Sequence, residues 1–360
     1  MVMVPPRQPG SRGPDRSGFA LMAVLVTVAV IAVLAGILGP MAFRQMMQAR
    51  EQETLLEMET LQEALLAFLD DTGRLPTDHE GLTALISDPG VAGWHGPYVV
   101  GDRFIPSEEI TTDAFGRPYI YDLAPITDPP GDTDLLLASG GMNRTVTTGS
   151  VNDSWSLDGD EDDLLRLINT GPAQRTMTTQ ALAEMQAIGV AAQQYFEHHT
   201  AFPATTDALS SIYLDPDFAN HATIDPWLQD YTLTGHAGTS PPALTISSFG
   251  PNRTDDGGGG DDLTLVVSSV GPGRKATRHL IAIAQAAMDA HPAVDLTGDW
   301  SSILLDLGLT SAFAVDGWGH PYGLSESTRT VVSSGPDGDF STPLDNIPTG
   351  VIPDVVVPGL

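Results

Sequence analysis

The sequence contains no cysteine, and this absence excludes a disulfide framework, a thiolate zinc site and a cysteine nucleophile. Basic residues are scarce: 16 Lys and Arg stand against 46 Asp and Glu, for a formal net charge of -30. Such a chain repels a phosphate backbone, so no nucleic-acid partner is expected. Aromatic residues make up only 6%, whereas 37 Gly and 28 Pro favour short elements joined by turns. A length of 360 residues predicts two or three small domains.

A long apolar run lies near the N-terminus. Residues 19–43 carry no charge, and a helix of that length can cross a hydrocarbon core of about 30 Å. The leader before it, residues 1–18, has three arginines against one aspartate, and the positive-inside tendency keeps this end in the cytoplasm. The rest of the chain is then expected beyond the inner membrane, in the periplasm or outside the cell.

The apolar run is predicted to stay in the mature protein. A secretory signal peptide has a shorter apolar region and a small-residue cleavage site after it. Here the run continues through Pro40 into a polar helix that begins near Arg44. The sequence therefore predicts a single-pass anchor in the inner membrane, residues 19–43.

The junction of leader and anchor resembles the class III prepilin leader of type IV pilins and type II secretion pseudopilins. Gly18 is followed by Phe19, and Pro40 is the twenty-second residue after Gly18. The resemblance implies that a prepilin peptidase cuts between Gly18 and Phe19 and methylates the new N-terminus. It also implies two further partners: other pseudopilins or pilins, packed through the N-terminal helix, and an inner-membrane assembly platform. An ordinary anchor with an incidental Gly-Phe pair is the alternative.

The fifth residue after the expected cut departs from this family pattern. The family usually has Glu there, an intramembrane charge thought to pair with the N-terminal amine of a neighbouring subunit, whereas this chain has Ala23. The departure resembles pseudopilins at the tip of a filament, which have no subunit above them.

Beyond the anchor, one set of motifs occurs three times in the same order. An Asp-x-aromatic turn with a Tyr six residues after the Asp stands in DAFGRPYIY (113–121), DPWLQDYTL (225–233) and DGWGHPYGL (316–324). A second signature follows each turn: SGGMN (139–143), SFGPN (248–252) and SSGPD (333–337). An acidic cluster comes after each of these signatures. The order predicts three copies of one module.

Each copy begins with a helical pattern that ends at a breaker. Apolar residues recur every three to four positions, and the patterns stop before Gly73 and Pro76, Pro203, and Pro292. Short helices are expected in EGLTALI, TDALSSI and WSSILLDL, and short antiparallel strands in IYDL with DLLLAS, YTL with ALTISS, and TVVSS. The predicted fold class is α+β: a long N-terminal transmembrane helix followed by three tandem modules of a helix and a small antiparallel sheet.

This module resembles the head of the major pseudopilin of type II secretion. The first copy has RLPTDHEGLTAL, the second FPATTDAL and the third SSGPDGD. Within each copy, the motifs follow one another in the order that the family uses. A typical member has one head, whereas this chain is predicted to have three. The predicted divisions are the leader 1–18, the anchor 19–43, a first module 44–169, a second module 170–267 and a third module 268–360.

The acidic clusters predict a hard cation. Carboxylates crowded on Gly-rich loops repel one another unless a cation binds them, and calcium, which takes six to eight oxygens, suits such loops better than magnesium. Asp158, Asp160 and Asp162 have EF-hand spacing, but the sixth position is Asp163 rather than Gly and the twelfth is Asn169 rather than Glu. Solvated surface acids are the alternative reading of each cluster.

The resemblance to the major pseudopilin implies particular calcium ligands, because that family binds calcium in this loop. Each implied set also uses a backbone carbonyl, of Gly140, Phe249 or Ser334. The side-chain ligands implied in the three modules are, in order, Asn143, Asp162 and Asp163; Asn252, Asp261 and Asp262; and Asp337, Asp345 and Asn346.

No residue constellation predicts catalysis. Neighbouring His198 and His199 point about 100° apart on a helix and cannot share a zinc ion as i and i+4 histidines do. Ser139, Ser248 and Ser333 precede turns without a nucleophile elbow, so they are expected to be turn residues. The turn aromatics Phe115, Trp227 and Trp318 are expected to pack against the helix of their own module.

These observations predict a structural pseudopilin of a type II secretion or type IV pilus-like apparatus, and the sequence leaves open which of the two. Three heads on one stem, together with Ala23, favour a tip or minor position over the shaft. The alternative is a membrane-anchored cell-surface binding protein whose three heads are stabilised by calcium. An enzyme is not expected.

Overall fold

The computed structural model describes residues 16–99, 111–123, 134–143, 150–151, 154–155, 162–209, 212–214, 223–236, 240–348 and 355–356. Helix α1 spans Arg16–Thr72 without interruption, so the predicted anchor and the first module's helix form one element of 57 residues. Pro40 lies inside α1, and Gly18 and Phe19 lie in its first turn. Large apolar side chains from Leu21 to Phe43 are exposed. Among the described residues, one helix is long and apolar enough to cross a membrane.

The C-terminal part of α1 packs on a small sheet in the first module. Strands β1 (Ile120–Leu123), β2 (Asp134–Ser139) and β5 (Leu164–Asn169) form this antiparallel sheet in the order β1-β2-β5, with Leu123 opposite Leu135 and Ala138 opposite Leu165. A separate hairpin of two short strands, β3 (Ser150–Val151) and β4 (Ser154–Trp155), comes between β2 and β5 in the sequence. The core contains one face of α1, the 3-10 helix Gly81–Leu85 and the sheet, with the buried members Met58, Leu61, Leu65, Phe68, Leu82, Leu85, Leu135, Leu137 and Ile168.

The range predicted as the second module has a similar arrangement. Helix α2 (Gly171–His199) packs on strands β6 (Thr232–His236), β7 (Ala243–Ser248) and β8 (Leu263–Ser268), which form an antiparallel sheet in the order β6-β7-β8. The alternating burial of β7 places Leu244 and Ile246 in the core against Met185 and Ile188 of α2. A 3-10 turn, Thr206–Ala208, follows the helix.

The third module has a shorter helix and a smaller sheet. Helix α3 (Val270–Ala290) is followed by α4 (Trp300–Ile303) and a 3-10 turn, Ser311–Phe313. Strand β9 (Gly323–Ser325) lies between β10 (Thr330–Val332) and β11 (Val355–Val356), and all pairs are antiparallel. Trp300 fills the centre of the core with Met288, Leu324 and Val331.

The α+β class and the element order predicted from the sequence are confirmed. The three long helices end at Thr72, His199 and Ala290, just before the predicted breakers. The short helices predicted in EGLTALI and TDALSSI are 3-10 turns of five and three residues, whereas the helix predicted in WSSILLDL is present as the four-residue α4. The domain boundaries at 44, 170 and 268 stay a prediction.

Candidate functional site

One hydrogen-bonding arrangement occurs in three segments of the chain, each of which begins with an aspartate. We call these segments, residues 113–119, 225–231 and 316–322, the aspartate turns. In the second turn, Asp225 is 2% exposed, and its Oδ1 accepts the backbone N–H groups of Trp227 at 3.0 Å and Gln229 at 2.8 Å. Asp316 accepts the N–H groups of Trp318 and His320 in the same way, and Asp113 those of Phe115 and Arg117. Each carboxylate thus folds its own turn.

The other carboxylate oxygen ties each turn to a serine at the end of the sheet. Ser248 donates its hydroxyl to Oδ2 of Asp225 at 2.6 Å, and Ser333 donates to Asp316 at 2.6 Å. Ser139 makes the same bond to Asp113. Burial raises the pKa of Asp225 and of Asp316, while the bonds from serine and backbone donors oppose that rise. The serines are therefore turn residues, as predicted, and not nucleophiles.

Each aspartate turn also docks on the helix of its module. The hydroxyl of Thr54 accepts the N–H of Ala114 at 3.3 Å, and the hydroxyl of Thr277 accepts that of Gly317 at 2.9 Å. At the corresponding place in the second module, Pro226 has no N–H to donate, and the helix residue is the apolar Ala181. A threonine thus stands on the helix where the turn has an N–H to donate, and an alanine where the turn has proline.

The tyrosine that closes each turn distinguishes the third module from the other two. Tyr119 donates its hydroxyl to Glu57 at 2.7 Å, and Tyr231 donates to Glu184 at 2.7 Å. The hydroxyl of Tyr322 is buried without a hydrogen-bond partner among the described residues. Glu57 and Glu184 lie three positions after Thr54 and Ala181, and three positions after Thr277 the chain has Leu280.

Removing the three tyrosine hydroxyls is expected to have unequal effects. Tyr119→Phe and Tyr231→Phe each remove the hydroxyl that donates to a half-buried or buried glutamate oxygen, which is expected to cost about 1–2 kcal/mol of the free energy of unfolding. Tyr322→Phe removes an unsatisfied polar group, so its effect is expected to stay within about 0.5 kcal/mol of zero or to be stabilising. Urea unfolding of the full chain measures all three; equal losses in the three variants would contradict this account.

In the acidic loop of the first module, the described residues 139–143 and 162–163 meet through backbone packing and an amide–carboxylate pair. Gly141, at φ 50°, has no room for a side chain, because an added Cβ would lie 1.8 Å from the carbonyl oxygen of Asp162. Asn143 donates its backbone N–H to Asp162 Oδ2 at 2.6 Å and its side-chain amide to Oδ1 at 3.0 Å. Two of the three predicted ligands, Asn143 and Asp162, thus lie together. Asp158 and Asp160 are outside the described residues.

The loop of the second module, residues 248–262, is organised by its predicted ligands. Gly250, at φ 64°, faces the carbonyl oxygen of Asp261, and Asn252 donates its N–H to Asp261 Oδ2 at 2.8 Å. Asp262 Oδ2 accepts the N–H groups of Asp256 at 2.9 Å and Gly258 at 2.8 Å. The other oxygen of Asp262, Oδ1, is buried without a hydrogen-bond partner among the described residues.

The loop of the third module, residues 333–346, contains two such oxygens on adjacent residues. Oδ1 of Asp345 and Oδ1 of Asn346 are both buried without a hydrogen-bond partner in the described part of the chain. Gly335, at φ 78°, lies against the Asp345 carbonyl, as the equivalent glycines do in the other modules. The third predicted ligand, Asp337, has both side-chain oxygens occupied, by the N–H of Asp339 and the hydroxyl of Thr342.

The donor set suits an oxygen-binding cation in the second and third modules. Buried carboxylate or amide oxygens that accept no hydrogen bond are costly unless another positive group meets them, and calcium binds such oxygens. Within the described ranges, however, no group of three or more His, Cys, Asp or Glu side chains is placed to hold a metal ion. A cation here would therefore use amide and carbonyl oxygens beside the carboxylates, as the predicted ligand sets do.

The remaining candidates have structural roles. His198 bonds the carbonyl of Gln194, whereas His199 stacks on Tyr195 at 4.1 Å and contacts the Tyr213 hydroxyl, so the two imidazoles do not converge. Trp227 packs on Met177 and Ala181 of its own helix, as predicted. It also packs on Leu69 of α1, a contact that no pattern in the sequence predicts.

A bidentate ion pair fixes the loop that follows α1. Arg74 donates to both carboxylate oxygens of Glu80, at 2.6 and 2.8 Å, and these bonds lower the pKa of Glu80 to about 2. Since the folded-state pKa is depressed, the stabilisation is present above about pH 4.5 and is lost as the pH falls toward 2. We expect Glu80→Gln to lose about 1–2 kcal/mol at pH 7 and much less at pH 3, by urea unfolding. A loss independent of pH would contradict this.

Comparison with known proteins identifies the family. The family model "Type II secretion system (T2SS), protein G" matches residues 41–153. The chain is 30% identical over 147 residues to the type II secretion system core protein G of Vibrio cholerae, an alignment that covers 39% of this chain and 93% of the relative. It is 29% identical over 142 residues to that of Aeromonas hydrophila, which covers 39% of this chain and 94% of the relative. No solved structure matches the chain significantly.

The chain therefore belongs to the type II secretion protein G family, the major pseudopilins, as the sequence motifs predicted. Members of this family are structural proteins anchored in the inner membrane, not enzymes. The relatives align with well under half of this chain, so the greater part of it has no counterpart in those alignments.

Proposed function

We propose that this protein is a pseudopilin that is cut by a prepilin peptidase between Gly18 and Phe19 and assembles through α1 into a short secretion filament. The observation that carries the proposal is the continuity of α1: one helix of 57 residues joins an exposed apolar segment to a head of the protein G type. Its heads lie in the periplasm or beyond, on the far side of a single inner-membrane span.

The role of α1 is mechanical. In lipid, helices associate by close van der Waals packing and by polar contacts, and not by the hydrophobic effect. Apolar side chains such as Leu25, Val28 and Leu38 are exposed around the whole helix, so neighbouring subunits can pack on any side. Ala23 offers no charge for the amine of an adjacent subunit, and together with three bulky heads it favours a tip or minor position.

The part of the chain beyond the anchor consists, in this proposal, of three copies of one module, 44–169, 170–267 and 268–360. Three separate hydrophobic cores support this division. The repeated Asp–Ser hydrogen bond and the repeated glycine packing against an aspartate carbonyl support it further. Among the described residues of the second and third modules, no helix is long and apolar enough to span a membrane, so these modules extend the head without adding to the filament core.

Calcium is the proposed cofactor of the acidic loops. The carboxylate of Asp262 would hold an ion in the second module, and the carboxylate of Asp345 and the amide oxygen of Asn346 would hold one in the third. Each of these residues has a buried oxygen that accepts no hydrogen bond within the described residues. When bound, the ion would neutralise the loop and tie its two ends together. The first module supports this least, because Asn143 and Asp162 already bond each other.

A photo-crosslinking experiment tests assembly in the membrane. The chain has no cysteine, so Leu25→Cys, exposed on α1, can carry a maleimide–benzophenone crosslinker as the sole label in cells that contain the complete secretion apparatus. We expect a crosslink to a different pseudopilin, identified by mass spectrometry. Leu305→Cys, exposed in the third module, is the matched control and should not capture that partner.

Two other outcomes would count against the proposal. A ladder of crosslinked copies of this chain would place it in the shaft and contradict the tip or minor position. Monomers alone would contradict filament assembly, and monomers accessible from outside the cell would favour an anchored surface-binding protein.

A further inference from the structure

The end of α1 contacts the aspartate turn of the second module. Leu69 is 1% exposed and shares a buried cluster with Trp227. Gly73, which follows α1, has no room for a side chain, because an added Cβ would lie 2.6 Å from the Trp227 Cα and 2.9 Å from Nη2 of Arg253. The first and second modules are therefore packed together at this point and not merely connected.

Arg253 caps the C-terminus of α1 from the second module. Its Nη2 donates to the carbonyl of Thr72 at 2.5 Å. The last carbonyls of a helix have no partner within the helix and form the negative end of its dipole, so a guanidinium there satisfies an acceptor and opposes its charge. Burial lowers the pKa of Arg253, as expected for a side chain withdrawn from water into this contact.

The end of α2 contacts the aspartate turn of the third module in the same manner. Phe196, fully buried, forms a cluster with Trp318 and Ile347. Lys275 of α3 donates to Glu197 of α2 at 2.7 Å. This second contact thus also joins the last turn of one module's helix to the aromatic residue of the next module's turn.

The two contacts use equivalent positions. Leu69 lies 15 residues after Thr54, and Phe196 lies 15 residues after Ala181, the two helix residues that face their own aspartate turns. Both helices end in a left-handed cap: Gly73 (φ 70°) donates its N–H to the Leu69 carbonyl, and Thr200 (φ 55°) donates to the Phe196 carbonyl, each at 2.8 Å. Leu69 and Phe196, whose side chains contact the next module, thus also accept through their carbonyls the hydrogen bond that caps the helix.

The third module lacks this helix end. The position 15 residues after Thr277 is Pro292, and α3 ends at Ala290 with His291 as its C-cap, at φ -123°. Because the residue before a proline is driven out of the helical region, α3 stops before it can present an apolar residue or a left-handed cap.

We propose that the helix end is a docking surface whose partner is the aromatic aspartate turn of the next module. It is formed by Leu69, Thr72 and Gly73 in the first module and by Phe196 and Glu197 in the second. Used twice, it holds the modules in one head-to-tail rod. A head-to-tail contact continues indefinitely unless a terminal unit lacks one half, and the third module, by losing its helix end, terminates the series. The inference rests on the three-module organisation proposed above but not on the role in secretion.

Distances between spin labels test the rod in the full chain, since the absence of cysteine leaves introduced pairs as the only labels. One pair, Glu63→Cys with Gln186→Cys, spans the first and second modules; the other, Gln186→Cys with Ala286→Cys, spans the second and third. All three positions are exposed. We expect a narrow distribution of label-to-label distances for both pairs. Arg253→Ala should widen the distribution at least twofold for the first pair alone. Phe196→Ala should do the same for the second pair alone.

Arg329→Ala is the matched control. Arg329 also has a left-handed backbone, at φ 48°, and also donates to carbonyls after a helix, those of His291 and Val294, but these belong to its own module. It should leave both distributions unchanged. Broad distributions in the unmodified chain, or a narrow first distribution in Arg253→Ala, would overturn the inference; circular dichroism of each variant separates loosening of the rod from unfolding of a module.

Discussion

Asp225→Ala is expected to lower the free energy of unfolding of the second module by about 3–5 kcal/mol, one of the largest losses available from a single side chain in this protein. The carboxylate is 2% exposed and accepts three hydrogen bonds, from the N–H groups of Trp227 and Gln229 and the hydroxyl of Ser248. Alanine leaves all three donors without an acceptor and separates the turn from the sheet. Thermal and urea unfolding of the full chain measure the loss.

Two further variants show whether the hydrogen bonds cause that loss. Asp225→Asn keeps the shape and one acceptor oxygen, so we expect it to lose roughly half as much as alanine. Asp230→Ala removes an exposed carboxylate at the end of the same turn and should change the stability by less than about 0.5 kcal/mol. Equal losses for the Asp230 and Asp225 alanine variants would contradict the proposed role of the turn.

Addition of calcium to the metal-free protein is expected to raise the midpoint of thermal unfolding by about 16 °C or more. An ion present at 1,000 times its dissociation constant stabilises the state that binds it by about 4 kcal/mol, and each kcal/mol shifts the midpoint of a module of this size by about 4–8 °C. A chelator should reverse the shift. Scanning calorimetry of the full chain, with and without the chelator, measures it.

Substitutions assign the calcium effect to particular loops. Asp262→Asn and Asp345→Asn should each remove part of the shift, since each weakens one proposed site in the second or third module. Asp255→Asn makes the same change of charge in the second loop, at a residue that is not a proposed ligand, and should leave the shift unchanged. If neither calcium nor the chelator moves the transition, the acidic loops are solvated surface and the proposed cofactor is wrong.

The elements of the fold follow from local signals in the sequence. The helices α1 and α2 carry an apolar residue at every third or fourth position, and Gly73 and Pro203 mark the loops that follow them. The order of motifs identified the family because each aspartate turn folds through hydrogen bonds from backbone N–H groups two and four positions after the aspartate. Such local bonds leave a fixed spacing of residue types in the sequence, whereas the serine that donates to the aspartate lies 26, 23 or 17 positions after it.

Contacts between modules could not be predicted in this way. Arg253 and Thr72 are 181 positions apart, and nothing in the sequence around either indicates the other. Trp227 was correctly predicted to pack on its own helix, but its contact with Leu69 depends on how two modules pack together. The oxygens of Asp345 and Asn346 that accept no hydrogen bond from the described residues could not be found from composition either, because burial of single atoms is decided by the packing of the whole loop.

Mass spectrometry of the mature N-terminus tests the central claim, that α1 is a processed pilin-like helix, most directly. Protein isolated from membranes of its native cells is expected to begin at Phe19 with a methylated amine, and Gly18→Glu is expected to keep residues 1–18 attached. A mature protein that retains the leader, or one that begins after the apolar segment near Arg44, would contradict it.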